Sequence, residues 1–175
     1  MSDTSKLVGR QLEFGQISNF LMMGPSLIIS GVKGVGKTYL VRQWLAQKAK
    51  NFKWYNLGNH LNLREVLGVE EKNIELALED AANEWRNFDI VVWDNFQYLA
   101  PSARSLLLSF IYNSGDETKH IFIGDENFLP LMPLEASVIR LSPLNEIELK
   151  AYLEFLGIAN IEHDINEIRR KTSAL

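Results

Sequence analysis

The residues best suited to chemistry are Gly31-Val32-Lys33-Gly34-Val35-Gly36-Lys37-Thr38, which match the pattern G-x-x-x-x-G-K-[ST] in full. Gly34 and Gly36 allow backbone angles that wrap successive N–H groups around an anion. A helix beginning near Lys37 turns its positive end to the same anion. Lys37 brings a mobile ammonium for β- and γ-phosphates, and Thr38 a hydroxyl for Mg²⁺, which takes hard oxygen ligands. The bland alternative is a structural glycine turn. The flanks favour phosphate binding, because the apolar run Ser26–Ser30 comes before the motif and apolar positions 40, 41, 44 and 45 form a helical stripe after it. A magnesium nucleotide also needs a carboxylate opposite the loop. Asp94 follows the apolar run Phe88–Trp93 and so falls at a strand's C-terminal end, where ligands bind in open α/β sheets. It can hold Mg²⁺ through water beside Thr38; otherwise it caps the loop after its strand.

The elements that position these groups alternate in type. Helices are expected over residues 10–22 (Leu12, Ile17, Phe20 and Leu21 inward), 37–49, 61–67, 71–86 and 101–112. Strands are expected at Ser26–Ser30, Phe52–Leu57, Phe88–Trp93, His120–Gly124 and Ser137–Leu141. Gly24-Pro25 and Gly115-Asp116 read as stops. Near-continuous apolar strands separated by helices specify an α/β fold, a parallel five-stranded sheet covered on both faces. After Pro143 only helices follow. Asn145 and Glu148 have capping-box spacing, Gly157 is a stop, and Ile161, Ile165 and Ile168 mark a last helix. The expected division is 1–142 as the α/β core and 143–175 as the start of a helical lid.

The chain of 175 residues and formal charge −4 has 46% apolar and 23% charged residues, an ordinary globular balance. The absence of cysteine excludes disulfide scaffolds, thiolate metal sites and Cys nucleophiles. No apolar run reaches the roughly 18–20 residues of a membrane span. The N-terminus lacks a secretory layout, so a cytoplasmic protein without a membrane partner is expected. The acidic balance argues against a dedicated nucleic-acid surface. Arg169-Arg170-Lys171 is too short to supply one, and Glu70-Glu71-Lys72 reads as a solvated helix start. His60, His120 and His163 lack ligand spacing. Trp44, Trp54, Trp85 and Trp93 read as core.

Further segments resemble one family. Leu7-Val8-Gly9-Arg10-Gln11-x-Glu13 is similar to the "hVGRexE" segment of AAA+ and STAND-type P-loop ATPases. Ile139-Arg140-Leu141-Ser142-Pro143-Leu144-Asn145-x-x-Glu148-Leu149 is similar to the "hRLxPLsxxEl" approach to their helical lid. The branch most similar holds archaeal and bacterial ATPases with origin-recognition-like and STAND regulators, over roughly residues 7–170. The resemblance implies an ASCE sheet, with the His120–Gly124 strand between the phosphate-loop strand and the Asp94 strand. It implies that Leu7, Val8 and Arg10 pack near adenine, and that Tyr39 and Pro143 join Gly31 to Thr38 in contacting ATP or ADP. It places a polar γ-phosphate sensor at Asp125 or Asn127, where a capped turn is the competing reading.

Lys37, Asp94 and Asn95 are the candidate catalytic residues, and Thr38 and Asp94 the candidate Mg²⁺ ligands. In such ATPases the position of Asn95 is usually Glu, which polarises the attacking water. Asn can orient water but cannot take a proton. Hydrolysis is then slow, relies on Asp125 or Glu126, or is absent. No Arg stands just before the fourth strand; Lys119 is there, and Arg104 reads as a solvated helix residue. The usual later lid arginine has no counterpart, which suggests an N-terminal fragment of a longer protein. The function implied is a slow Mg-ATP-dependent switch or assembly regulator, partnered by another protein or by a second copy through core and lid. The alternative is an ATP-binding scaffold or DNA-associated loader with little hydrolysis, although this fragment alone is not expected to bind nucleic acid. A small-molecule kinase ranks last, since no acceptor pocket is legible.

Overall fold

The computed structural model describes residues 9–49, 51–58, 62–69, 73–114, 118–127, 136–155 and 157. Five strands form one parallel sheet: β1 (Ser26–Gly31), β2 (Phe52–Asn56), β3 (Ile90–Asp94), β4 (Lys119–Gly124) and β5 (Ser137–Leu141). Their order is β2-β3-β4-β1-β5, so β4 lies between the phosphate-loop strand and the Asp94 strand. The helices are α1 (Gln11–Met23), α2 (Lys37–Lys48), α3 (Leu63–Leu67), α4 (Ile74–Trp85), α5 (Pro101–Asn113) and α6 (Glu146–Phe155), with a 3-10 turn at Phe96–Tyr98.

Strand residues alternate between the two faces, as the pleat requires. Val91 and Trp93 join a core with Trp85, Leu107 and Phe122. Ile90 and Val92 join a second core with Ile17, Leu40, Trp44 and Ile121. The first core is rich in rings: Tyr55 stacks on Trp93 at 4.6 Å between centroids, and Trp85 meets Trp93 edge-on at 5.3 Å. His120 belongs to this core, its Nδ1 accepting from Trp93 Nε1 at 3.1 Å. Trp44 is buried and donates to Ser18 Oγ at 3.0 Å, whereas Trp54 is half-buried.

Local chemistry sets the element ends. The side chains of Asn62 and Asn73 cap α3 and α4 by accepting from Glu65 and Glu75 N–H. Asn145 and Glu148 form a reciprocal capping box, with bonds of 2.8 and 2.9 Å, and Gly157 adopts φ +73° beyond the end of α6. Some expectations shift. β3 starts at Ile90 rather than Phe88, because Phe88 N–H closes the end of α4 on Trp85 O at 2.8 Å. Leu12, expected inward, is 73% exposed, while Ile17 and Leu21 are buried as expected. Arg104 is half-buried on α5 rather than freely solvated, and Lys119 donates to Gly24 O at 3.3 Å. Leu7, Val8, His60, Glu70-Glu71-Lys72, the stop at Gly115-Asp116, His163 and the expected helix near 161–170 lie outside the described residues.

At Gly31, β1 leaves the sheet for the glycine loop, with φ +150° and so little clearance that a Cβ would stand 2.5 Å from Leu141 O. Only glycine fits a backbone so close to its neighbour. Gly31→Ala is expected to cost about 2–4 kcal/mol, read as a shift in the urea unfolding midpoint.

Candidate functional site

The loop after β1 makes one tight turn, with Val35 N–H on Val32 O at 3.3 Å. Gly34 and Gly36 have φ +85° and +96°, and a Cβ at either would meet nothing within 4 Å. These glycines therefore serve backbone conformation and leave open space on the concave side. In α2, Leu40 N–H takes Gly36 O at 2.9 Å, so the amides of Lys37, Thr38 and Tyr39 precede the first intrahelical bond. Lys37 Nζ folds over the loop and donates to Gly31 O at 2.7 Å and Val32 O at 2.9 Å. Burial lowers its pKa, opposed by the negative charges of Asp125, Asp94 and Glu126.

Thr38 Oγ1 donates to both carboxylate oxygens of Asp94, at 3.0 and 3.1 Å. Asp94 is 3% exposed. Burial raises its pKa, against the Thr38 hydrogen bond, the Asn95 N–H, and the charges of Arg42 and Lys37. A buried carboxylate and a hydroxyl side by side are hard oxygen donors of the kind Mg²⁺ takes, alongside several waters and phosphate oxygens. Among the described residues there is no group of three or more His, Cys, Asp or Glu suited to an all-protein metal cage. The donor set and the open glycine loop fit a magnesium nucleotide.

Asn95 adopts φ +63°, the one positive value among the described non-glycine residues. Its backbone N–H bonds Asp94 Oδ1 at 3.0 Å, and its side-chain Nδ2 donates to Asn56 Oδ1 at 2.8 Å. Asn56 ends β2 and also accepts from Gly58 N–H at 3.0 Å. The side chain expected to orient water is thus tied to the tip of the next strand.

A cleft of about 350 Å³ runs along this edge of the sheet, lined by Lys33, Gly34, Gly36, Lys37, Thr38, Tyr39, Asp94, Asn95, Gln97, Tyr98, Ile123, Gly124 and Asp125. Asp125 Oδ1 accepts Asn127 N–H at 3.0 Å, so the capped-turn reading holds there while Asp125 still faces the cleft. Asn127 and Val32 are exposed, and neither lines the cleft.

Arg10 is almost buried and spoken for by protein groups. It donates to Glu13 at 2.8 Å, to Ser142 O at 2.6 Å and to Val35 O at 3.3 Å. It ties the start of α1 to the glycine loop and to the segment between β5 and α6, beside the exposed Pro143. Gly9 packs the same way: a Cβ there would meet Leu144 and Glu148 at 3.1 Å. Asn56, Gln97 and Tyr98 join the site without having been singled out in the sequence. Asn56 carries the signal that marked Asp94, a polar residue at the end of a strand.

Asn tolerates the left-handed region better than other side chains but not as well as glycine. Asn95→Gly is expected to be about 1 kcal/mol more stable than Asn95→Ala in chemical unfolding, since both lose the Asn56 bond and only Ala keeps the strain. The pKa of Asp94 is raised on folding, so its contribution to stability is present at low pH and is lost as pH rises through and above the ordinary carboxylate value of 3.8. Asp94→Asn should flatten that decline in a series of unfolding curves from pH 4 upward.

No family model matches the chain, and no curated protein matches it. A solved structure of a Walker-type ATPase from Pyrococcus abyssi is similar, with a TM-score of 0.60 and 17% sequence identity. The match covers 94% of this chain and 63% of that one, so this chain spans less than two thirds of that structure. Likeness at this identity concerns the fold: a five-stranded parallel α/β sheet of the kind found in a Walker-type ATPase.

Proposed function

We propose that this chain binds Mg-ATP and hydrolyses it slowly, as a nucleotide-dependent switch or assembly regulator of the AAA+/STAND type. The observation that carries this reading is the meeting of Thr38 Oγ1 with both oxygens of Asp94, at 3.0 and 3.1 Å, beside a glycine loop that Lys37 overhangs. A structural glycine turn has no need of a buried carboxylate at that place, because burying charge is costly.

The loop amides and Lys37 bind the phosphates. For Lys37 this means exchanging two backbone carbonyls for phosphate oxygens, which its flexible stem permits. Thr38 and Asp94 would hold Mg²⁺, which supplies neutralisation of phosphate charge when bound. Asp94 must be ionised for this role, and the approach of a cation reverses the effect of burial on its pKa. Asn95 supports slow turnover in two ways: an amide cannot accept the proton, and its Nδ2 is engaged by Asn56. Residues 143–175 serve as the beginning of a lid, and the Arg10 contacts with Val35 O and Ser142 O give the loop and the lid approach a shared anchor. Leu7 and Val8 remain the proposed neighbours of adenine and Tyr39 and Pro143 proposed contacts of the nucleotide, with a protein partner or second copy meeting core and lid. A cytoplasmic setting accords with this reading; among the described residues no helix is long and apolar enough to cross a membrane.

Lys37→Ala is expected to weaken ATP binding at least about a hundredfold in a titration with Mg²⁺ present, in line with the loss of a charge-assisted phosphate contact. Equal affinity in the variant overturns the reading. Removing Mg²⁺ with a chelator should weaken ATP binding to the wild type and have less effect on Asp94→Asn.

A further inference from the structure

The residue placed to orient water by its position after Asp94 is occupied elsewhere, since Asn95 Nδ2 is bonded to Asn56. Two residues on, Gln97 lines the same cleft as Lys37, Thr38 and Asp94. Its Oε1 is buried and has no hydrogen-bond partner. Buried acceptors are nearly always satisfied, and leaving one unmet costs stability. Nothing in the local fold asks for Gln at this position. Its neighbours Phe96 and Leu99 do the packing at 0% and 1% exposure, and the 3-10 turn closes through backbone bonds of Tyr98 N–H to Asn95 O and Leu99 N–H to Phe96 O. An unmet acceptor on a residue that lines a phosphate-binding cleft is suited, once its amide turns into the cleft, to a ligand that donates. Phosphate oxygens at neutral pH accept; water both donates and accepts.

We infer that Gln97 holds the attacking water in ATP hydrolysis, its Oε1 accepting one water O–H so that the water's lone pair faces the terminal phosphorus. This rests on the Mg-ATP reading above and names a positioning residue for it. In the step so arranged, the water oxygen bonds to the γ-phosphorus and the bond from that phosphorus to the β–γ bridging oxygen breaks. ADP leaves with the electron pair. The amide is neutral and takes no proton, so the protons of the water pass to phosphate oxygens and solvent. A device that orients without accepting a proton gives slow turnover, as with the water-positioning Gln of small GTPases.

The test compares wild type with Gln97→Leu, which removes the acceptor, and Gln97→Glu, which keeps one. Three quantities are read: melting temperature of the free protein, ADP affinity by calorimetric titration, and single-turnover conversion of labelled Mg-ATP with protein in excess. Gln97→Leu is expected to melt no lower than wild type, bind ADP within about twofold, and convert ATP at least about tenfold more slowly. Gln97→Glu is expected to convert faster than Gln97→Leu. Conversion by Gln97→Leu within twofold of wild type overturns the inference. So does a joint fall in melting temperature and ADP affinity, which marks a structural residue. Wild type that binds ATP and never converts it overturns the inference while leaving nucleotide binding intact, and wild type that binds no nucleotide removes the Mg-ATP reading itself.

Discussion

The contact between the Thr38 hydroxyl and the Asp94 carboxylate joins residues 56 apart in the chain, and it depends on the placement of one strand. β4 pairs with β1 on one side and β3 on the other, with Ile123 opposite both Ile29 and Asp94. The width of that intervening strand separates the start of α2 from the end of β3 by the span that two side chains can close. All three strands must run parallel for their C-terminal ends to share an edge, and their apolar residues, buried on both faces, drive that arrangement. The two cores thus hold Asp94 in a place where its own ionisation is disfavoured.

The electrostatics of the cleft follow from the same crowding. Lys37 is one cation among Asp94, Asp125 and Glu126, and burial of the ammonium works against their attraction. A site with this balance gains from a ligand that brings phosphates to Lys37 and a cation to Asp94 together, because each then meets opposite charge in a partly dehydrated space. Hydrogen bonding within the protein occupies the same groups: Lys37 on loop carbonyls, Asp94 on Thr38, Asp125 on the Asn127 amide.

Arg10 gives the site its mechanical link to the segment beyond β5. One guanidinium reaches the carbonyls of Val35 in the loop and Ser142 just after β5, and its bond to Glu13 holds it in place. Three acceptors around one guanidinium offset the cost of burying its charge. Val35 and Ser142 thus share one side-chain partner, and Gly9, which packs directly on Leu144 and Glu148, keeps α6 close to this junction.

Much of this architecture was written locally. The apolar runs of β1, β3 and β4, the glycine loop, the Asn145–Glu148 capping box and Asp94 at a strand end are patterns of a few residues whose physics is short-range. That the sheet is parallel also followed, since strands apolar on both faces need helices on each side. What only tertiary structure decided concerns the partners of polar side chains. Asn95 could orient water by its type, yet its amide is bonded to Asn56, 39 residues away. Arg10 could stack on a base, yet its guanidinium is divided between Glu13 and two backbone carbonyls, one of them 132 residues distant. Gln97 carried no pattern at all, and its unmet acceptor, on a residue that lines the cleft, exists only because the fold buries it. Side-chain type sets which bonds a residue can make; which one it does make is settled by long-range packing, which a linear pattern does not encode.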